Sequence, residues 1–261
     1  MTISILITGA GTGLGKGAAI GLAKAGHQVM AGVEIDAQVT SLRGAAKAEG
    51  VELDVFKMDI TCPEERAKMA SRDFDIFVAN AAINQGGPLG EVPMSIFREM
   101  FEVNVFSTLE TAQIAAKKFV KKGKGKIIFM SSMAGSMAGP YAGLYASTKH
   151  ALEAVAKSLQ KEMDYFGVQV ATINPGPFAT GFNDRAVEAK WDWLREGIHY
   201  SPFDEMKEKD KGVEDQFDPE EMIAKMVEII PKDSHKFRTV YPPETEKQMR
   251  EEEAENWTKE I

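Results

Sequence analysis

The sequence predicts an α/β protein: a doubly wound, seven-stranded parallel sheet with helices on both faces. Three observations predict it. Short runs rich in β-branched and apolar residues recur without the alternation of a half-solvated strand, so both their faces must be covered. Helix-like patterns separate these runs in strict turn, which gives parallel strands joined by right-handed crossovers. A glycine-rich turn, Thr8-Gly9-Ala10-Gly11-Thr12-Gly13-Leu14-Gly15, joins the first apolar run to the first helical pattern.

Taken in order, the strands read as Ile3–Ile7, Gln28–Val33, Val51–Met58, Ile76–Val78, Lys126–Met130, Val168–Ile173 and Phe237–Tyr241. The helices between and around them read as Leu14–Ala25, Ala37–Glu49, Pro63–Ser71, Ser95–Val120, Leu144–Tyr165 and Pro219–Ile230, several opened by Pro or Ser and closed by Gly. One segment, Phe178 to Asp218, breaks the alternation. It carries Phe182, Trp191, Trp193, Leu194, Tyr200 and Phe203 among many charges and is long for a connection within a compact domain. It reads either as a lid or binding loop or as a pair of surface helices anchored by those aromatics, and the two readings are compatible. The acidic stretch Pro243 to Ile261, with Trp257 near its close, reads as a surface helix or arm. No Pro/Gly/Ser-rich linker, charge block or internal repeat divides the chain, so residues 1–261 are expected to form one domain.

At 261 residues, 44% hydrophobic and 27% charged, the chain can bury a large core. Its formal net charge of −8 argues against nucleic-acid backbones and anionic membrane surfaces as partners. The one basic run, Lys117, Lys118, Lys121, Lys122, Lys124 and Lys126, reads as the solvated end of a helix, where cations complement the dipole, rather than as a binding patch. No apolar run is long enough to span a bilayer, and Met1 to Ile7 is too short for a signal peptide. Cys62 is the only cysteine, which excludes an intramolecular disulfide and a cysteine-based zinc site. A cytoplasmic protein is the expectation.

Glycines at a strand-to-helix turn let the backbone approach a pyrophosphate, and the helix N-terminus offers unpaired N–H groups and partial positive charge. A nucleotide is therefore the first expected ligand. In sheets of this kind ligands sit at the carboxyl ends of the strands, so cofactor and chemistry should share one edge. Farther along, Tyr145-Ala146-Ser147-Thr148-Lys149 puts a phenol and an ammonium one helical turn apart. Ser131 and Ser132 end the strand-like run before them. A hydroxyl at a strand end and a phenol on the next helix can converge on one carbonyl oxygen.

With these residues in hand, the chain from Ile3 to about Thr180 resembles the short-chain dehydrogenase/reductase family, whose fold is Rossmann-like. The family's Thr-Gly-x-x-x-Gly-x-Gly falls on Thr8, Gly9, Gly13 and Gly15. Its Asn-Asn-Ala-Gly stretch appears as Ala79-Asn80-Ala81-Ala82, two positions of which depart, while Asn80, which steadies the sheet beside the cofactor, is kept. The resemblance puts the catalytic asparagine on Asn104, the serine on Ser132, the tyrosine on Tyr145 and the lysine on Lys149. It places a nicotinamide dinucleotide against Gly9, Thr12, Gly13, Leu14 and Gly15, Glu34, Asp59 and Ile60, Asn80 and Ala81, Tyr145 and Lys149, and Pro175, Gly176, Phe178 and Thr180. It implies that Tyr145 is the general acid and base, that Lys149 lowers its pKa and holds the nicotinamide ribose, that Ser132 stabilises the substrate oxygen, and that Asn104 holds a water in a proton relay. The physics agrees with these roles: free tyrosine titrates near pH 10, and a neighbouring cation favours its phenolate. No metal is required.

Where the family usually carries an aspartate for the adenine ribose, this chain has Val33, followed by Glu34. A carboxylate there repels a 2′-phosphate, so NAD is expected over NADP, with Arg43 on the following helix expected in solvent. Asp59 matches the position that meets the adenine amino group; its other reading is an N-cap for the helix from Pro63. The expected partner is a small-molecule secondary alcohol or ketone. Aromatics of the 178–218 segment point to apolar pocket walls, whereas Arg185, Arg195 and His199 could receive an anionic group, a lone loop histidine being more often only solvated. By resemblance, the helices Ser95–Val120 and Leu144–Tyr165 would pair in a homodimer or homotetramer. The rival reading is a catalytically silent, NAD(P)-sensing protein of the same fold, against which the intact set Asn104, Ser132, Tyr145 and Lys149 speaks.

Overall fold

The structure is a computed structural model and describes residues 2–211 and 215–260. Residues 212–214 of the long segment and Ile261 of the C-terminal stretch therefore lie outside the described residues. Seven strands form one sheet: β1 (Ser4–Ile7), β2 (Gln28–Val33), β3 (Asp54–Lys57), β4 (Ile76–Ala79), β5 (Gly125–Met130), β6 (Val168–Pro175) and β7 (Arg238–Tyr241). Their order is β3-β2-β1-β4-β5-β6-β7 and every pairing is parallel. The order reverses between β1 and β4, and such a switch point opens a crevice at the strand C-termini.

The helices are α1 (Gly13–Lys24), α2 (Asp36–Ala48), α3 (Pro63–Arg66), α4 (Met94–Phe101), α5 (Thr108–Lys122), α6 (Gly143–Met163), α7 (Phe182–Trp193), α8 (Phe203–Asp210), α9 (Pro219–Ile229) and α10 (Pro243–Asn256). Two cores flank the sheet, because successive side chains of a strand point to opposite faces. Ile5 and Ile7 enter one core with Leu22 of α1, Leu42 of α2 and Met222 and Met226 of α9. Leu6 enters the other with Phe74, Phe77, Phe119 of α5, Phe129 and Leu152 of α6. This double burial is why the strands lack alternation.

Several boundaries differ from the sequence reading. Residues 51–53 do not extend β3, because Val51 N–H donates to Ala46 O and closes the end of α2 instead. The long helix read at 95–120 is α4 and α5 joined by a π-helical turn, Glu102–Ser107, and α3 gives way to a 3₁₀ turn, Ala67–Met69. The basic run is only partly solvated. Lys122 Nζ donates to Phe74 O at 3.1 Å and Lys118 Nζ donates to the carbonyl of Arg72. Lys126 is buried, its ammonium donating to the carbonyls of Ile230 and Lys232 after α9. Burial pulls Lys126 down to about 8, and Asp233 opposes that shift. Each of these three lysines donates to main-chain carbonyls, Lys126 from a buried position and Lys122 from an exposed one.

The long segment takes the pair-of-helices form. It forms α7 and α8, anchored by Trp191 Nε1–H donating to Asp210 at 3.0 Å and by Phe203 and Met206 packed on Leu194. Its start and end meet: Ala179 N–H donates to Phe217 O at 3.0 Å and Phe217 N–H donates to Pro177 O at 2.8 Å. The C-terminal stretch is α10, whose Glu252 accepts from Ala138 N–H at 3.2 Å while Trp257 stands exposed. Among the described residues, no helix is long and apolar enough to cross a membrane.

Candidate active site

The β1–α1 turn is built by backbone contact. Gly9 has φ +64°, and a Cβ there would lie 2.6 Å from Ala81 Cα; one on Gly15 would lie 2.6 Å from Gly9 O and strike the Asn80 amide. Asn80 uses that closeness. Its Nδ2 donates to Thr8 O at 2.9 Å and to Gly9 O at 3.0 Å, while Thr8 Oγ1 accepts from the N–H groups of Asn80 at 3.1 Å and Ala81 at 3.2 Å. The turn is thereby tied to the end of β4. Thr12 makes no side-chain cap to α1 and the first turn holds no acidic residue, so its N–H groups and positive dipole end stay available to an anion.

From this turn a cleft of about 930 Å³ runs along the carboxyl edge of the sheet. Gly9, Thr12, Gly13, Leu14, Gly15, Glu34, Asp59, Ile60, Asn80, Ala81, Pro175, Gly176, Phe178 and Thr180 all line it, as do Ser132, Tyr145 and Lys149. Glu34 marks one end, where its N–H donates to Gln38 Oε1 at 3.0 Å and the Gln38 amide lies over Gly11. Asp59 accepts from Thr61 N–H at 2.8 Å and Oγ1 at 2.7 Å, a local turn; Cys62 rather than Asp59 stands at the N-cap of α3. Arg43 is turned away from the cleft, exposed and donating to Val55 O at 2.8 Å. Among the described residues, Lys149 and Arg185 are the only Lys or Arg side chains lining the cleft. These features fit a dinucleotide: an uncapped helix N-terminus behind glycines opens onto a long cleft, with a carboxylate beside the turn.

The catalytic candidates meet at the other end. Ser132 follows β5 with extended backbone, and its hydroxyl accepts from Ala134 N–H at 3.1 Å. Tyr145 and Lys149 stand one turn apart on α6. Tyr145 packs edge-on against Phe182 of α7, and Lys149 is buried with its Nζ donating to Met130 O at 2.7 Å. Burial, the largest cause, pushes the Tyr145 phenol above its ordinary value, and a hydrogen bond with Ser132 pulls the other way. In this structure burial outweighs the lowering expected from Lys149. Its ammonium lies 5.5 Å from the ring centroid and is directed at a carbonyl. Burial brings Lys149 itself down to about 8, opposed by Glu153.

Asn104 does not line the cleft. It sits buried on the π turn, its Oδ1 accepting from Ile83 N–H at 2.9 Å and its Nδ2 donating to Ile83 O at 2.9 Å and Thr148 Oγ1 at 3.2 Å. The side-chain amide, for which the resemblance implied a bound water, is thus engaged with the backbone after β4. Of the substrate-side candidates, Arg185 lines the cleft with Phe182, Asn183, Glu188, Ala189 and Asp192 of α7. His199 and Arg195 lie apart, the ring edge-on to Trp193 with Nδ1 accepting from Arg195 N–H at 2.9 Å. Sequence reasoning missed Gln38, Asn84, Gln85 and Glu99, cleft residues that no motif announces. It also missed Glu153, although its spacing from Tyr145 and Lys149 carried a signal.

A Rossmann-like sheet with phenol, hydroxyl and ammonium gathered on its ligand-binding edge defines a class of nucleotide-binding oxidoreductases. Within it the chain belongs to the short-chain dehydrogenase/reductase family, the short chain dehydrogenase pattern matching residues 4–191. Estradiol 17-beta-dehydrogenase 2 of Mus musculus is 34% identical over 209 residues, 76% of this chain but 54% of that protein, so the chain spans about half the length of this relative. A diacetyl reductase [(S)-acetoin forming] of Staphylococcus epidermidis is 32% identical over 195 residues, 72% of this chain and 76% of that protein. Among solved structures, a short-chain dehydrogenase/reductase from Burkholderia phymatum in complex with NAD shares the fold with a TM-score of 0.83 at 19% identity, covering 98% of this chain and 95% of that one.

Proposed function

We propose that this protein interconverts a secondary alcohol and its ketone with a nicotinamide dinucleotide, NAD in preference to NADP. The observation that carries this reading is the meeting of Ser132, Tyr145 and Lys149 at one end of the cleft whose other end is the glycine turn. Hydride transfer to or from the substrate carbon is the chemistry a nicotinamide dinucleotide supplies when bound. Tyr145, kept protonated by burial, donates a proton to the oxygen of a ketone, and in the reverse direction its phenolate takes the proton of an alcohol. Ser132 hydrogen-bonds the same oxygen as charge develops on it. Lys149, together with the positive charge of an oxidised cofactor, favours the phenolate. Asn104 acts as a brace that fixes Ile83 and the segment after it.

The substrate end favours a small, uncharged, hydroxyl- or carbonyl-bearing molecule. Ile83, Val103 and Phe182 supply apolar wall, and Gln85 has a buried Oε1 without a hydrogen-bond partner. Arg185 is outnumbered there by Glu99, Glu188 and Asp192, which disfavours an anionic group. Of the compounds named for the relatives, a diketone suits this polar end better than a steroid. We also propose a homo-oligomer joined through the α4–α5 side, where Met94 and Phe106 are each 54% exposed. The deciding experiment is a turnover screen of secondary alcohols and short ketones with NAD and NADP in parallel, followed at the absorbance of the reduced nicotinamide. Turnover confined to NAD and uncharged substrates is expected. Cofactor binding without turnover of any substrate would instead indicate the silent sensor.

A further inference from the structure

Beneath the catalytic side chains lies a buried polar network that none of these steps uses. Tyr145, Lys149 and Glu153 follow at four-residue spacing on α6, so they share one face of the helix. Glu153 is 7% exposed. Its Oε1 accepts from Asn174 Nδ2 at 2.6 Å, and its Oε2 accepts from Arg238 Nη2 at 2.6 Å and Nε at 3.2 Å. Asn174, fully buried at the end of β6, is fixed by Thr172 Oγ1–H donating to its Oδ1 at 2.8 Å, and its Nδ2 also donates to Ser132 O at 3.0 Å. An unbroken path of hydrogen bonds thus runs from Arg238 on the edge strand β7, through Glu153 and Asn174, to the backbone of Ser132.

A buried carboxylate is costly unless paired, and a fold gains little stability from the pair that replaces apolar packing. Here the pair sits one helical turn from a buried ammonium. Among the described residues, the charged groups facing Glu153 are Lys149 and, exposed one turn farther on, Lys157 on its own helix, and Arg238 from β7; β6 and the 3₁₀ turn Met133–Gly135, which also pack on it, hold no ionisable side chain. We propose that Glu153 is a positioning residue for this site: it steadies Ser132 through Asn174 and is the counter-charge of the Lys149 ammonium, with Arg238 holding it in place from β7. The roles of Ser132 and Lys149 in it rest on the reading under Proposed function.

The direct test needs no turnover. The Lys149 side chain is titrated by NMR in the ligand-free protein, in the parent and in Glu153→Gln. The geometry requires Lys149 to lose its proton about one pH unit lower in the variant, a tenfold change in proton affinity. An unchanged titration overturns the counter-charge. Arg238→Met removes the competing cation and keeps the carboxylate, so it must move the Lys149 titration upward; this variant decides the matter should Glu153→Gln fail to fold. Asn174→Ala keeps the charge and cuts the link to Ser132: kcat must fall by about tenfold or more with KM little changed and the Lys149 titration unmoved. Full activity in Asn174→Ala overturns the link. Because the titration is read without substrate, a parent lacking dehydrogenase activity would defeat the proposed function and leave the Glu153–Lys149 coupling separately measured.

Discussion

The two ends of the cleft are built differently. At the glycine turn the contacts are main chain to main chain, with Asn80 and Thr8 stitching β1 to β4, and a substitution acts by displacing backbone. At the Tyr145 end the backbone is a platform, and the outcome depends on where side chains point and how deeply they are buried: the Lys149 ammonium is directed at Met130 O rather than at the phenol. Under the proposed function, the difference makes cofactor binding a property of chain path and proton transfer a property of solvation.

The contrast can be broken most forcefully at Tyr145. Tyr145→Phe should lower turnover by about 10²- to 10⁴-fold, the usual worth of a positioned acid or base, while NAD affinity measured by calorimetry stays within a few-fold. Equal loss of affinity and turnover would erase the distinction. On the opposite side, Gly15→Val should weaken NAD binding by at least about tenfold and lower stability by about 1–3 kcal/mol in a denaturant titration, because the added atoms meet Gly9 O and the Asn80 amide. Intact binding in that variant would show that the chain path is more pliant than its contacts indicate.

Two further measurements sharpen the comparison through charge. Glu34→Arg should swing the ratio of kcat/KM for NADP over NAD upward by about tenfold or more, about 1.4 kcal/mol, since it replaces a repelling carboxylate with a cation. Alcohol oxidation, which needs the phenolate of a phenol held above its ordinary value, should rise with pH from neutrality upward. Ketone reduction should decline as pH passes about 8, where the buried Lys149 ammonium gives up its proton. A flat profile for both directions would remove Tyr145 and Lys149 from the proton path. The smallest effect belongs far from either end: Phe106→Glu should split an oligomer, read by light scattering, and change kcat by less than about twofold.

What was legible in the sequence follows the same division. The seven strands and the glycine turn could be read because parallel strands buried on both faces leave unbroken apolar runs, and because Gly9 and Gly15 stand where a Cβ collides with main chain. Tyr145 and Lys149 could be placed on one helical face by counting. Asn104 could be located but not understood, since its engagement with Ile83 depends on a π turn that has no strong local pattern. Lys126 reads as solvated from its neighbours in sequence, whereas the carbonyls of Ile230 and Lys232, distant in sequence, hold its ammonium in a buried position. Gln85 reaches the cleft through loop geometry, and Gln38 from the first turn of α2 at an angle that residue spacing does not encode.

The hydrogen bonds that close Pro177 and Ala179 onto Phe217 make the excursion carrying α7 and α8 a handle, leaving the sheet and returning to it at a single clasp. The handle is also riveted along its length: Ala186 O accepts from Gly86 N–H at 3.2 Å, Glu91 accepts from Tyr200 N–H at 2.7 Å, and Trp193 packs against Val92, Met100 and Leu144. Its first helix reaches Tyr145 itself through the edge-on ring of Phe182. A change of length or sequence in this excursion is therefore transmitted to the phenol.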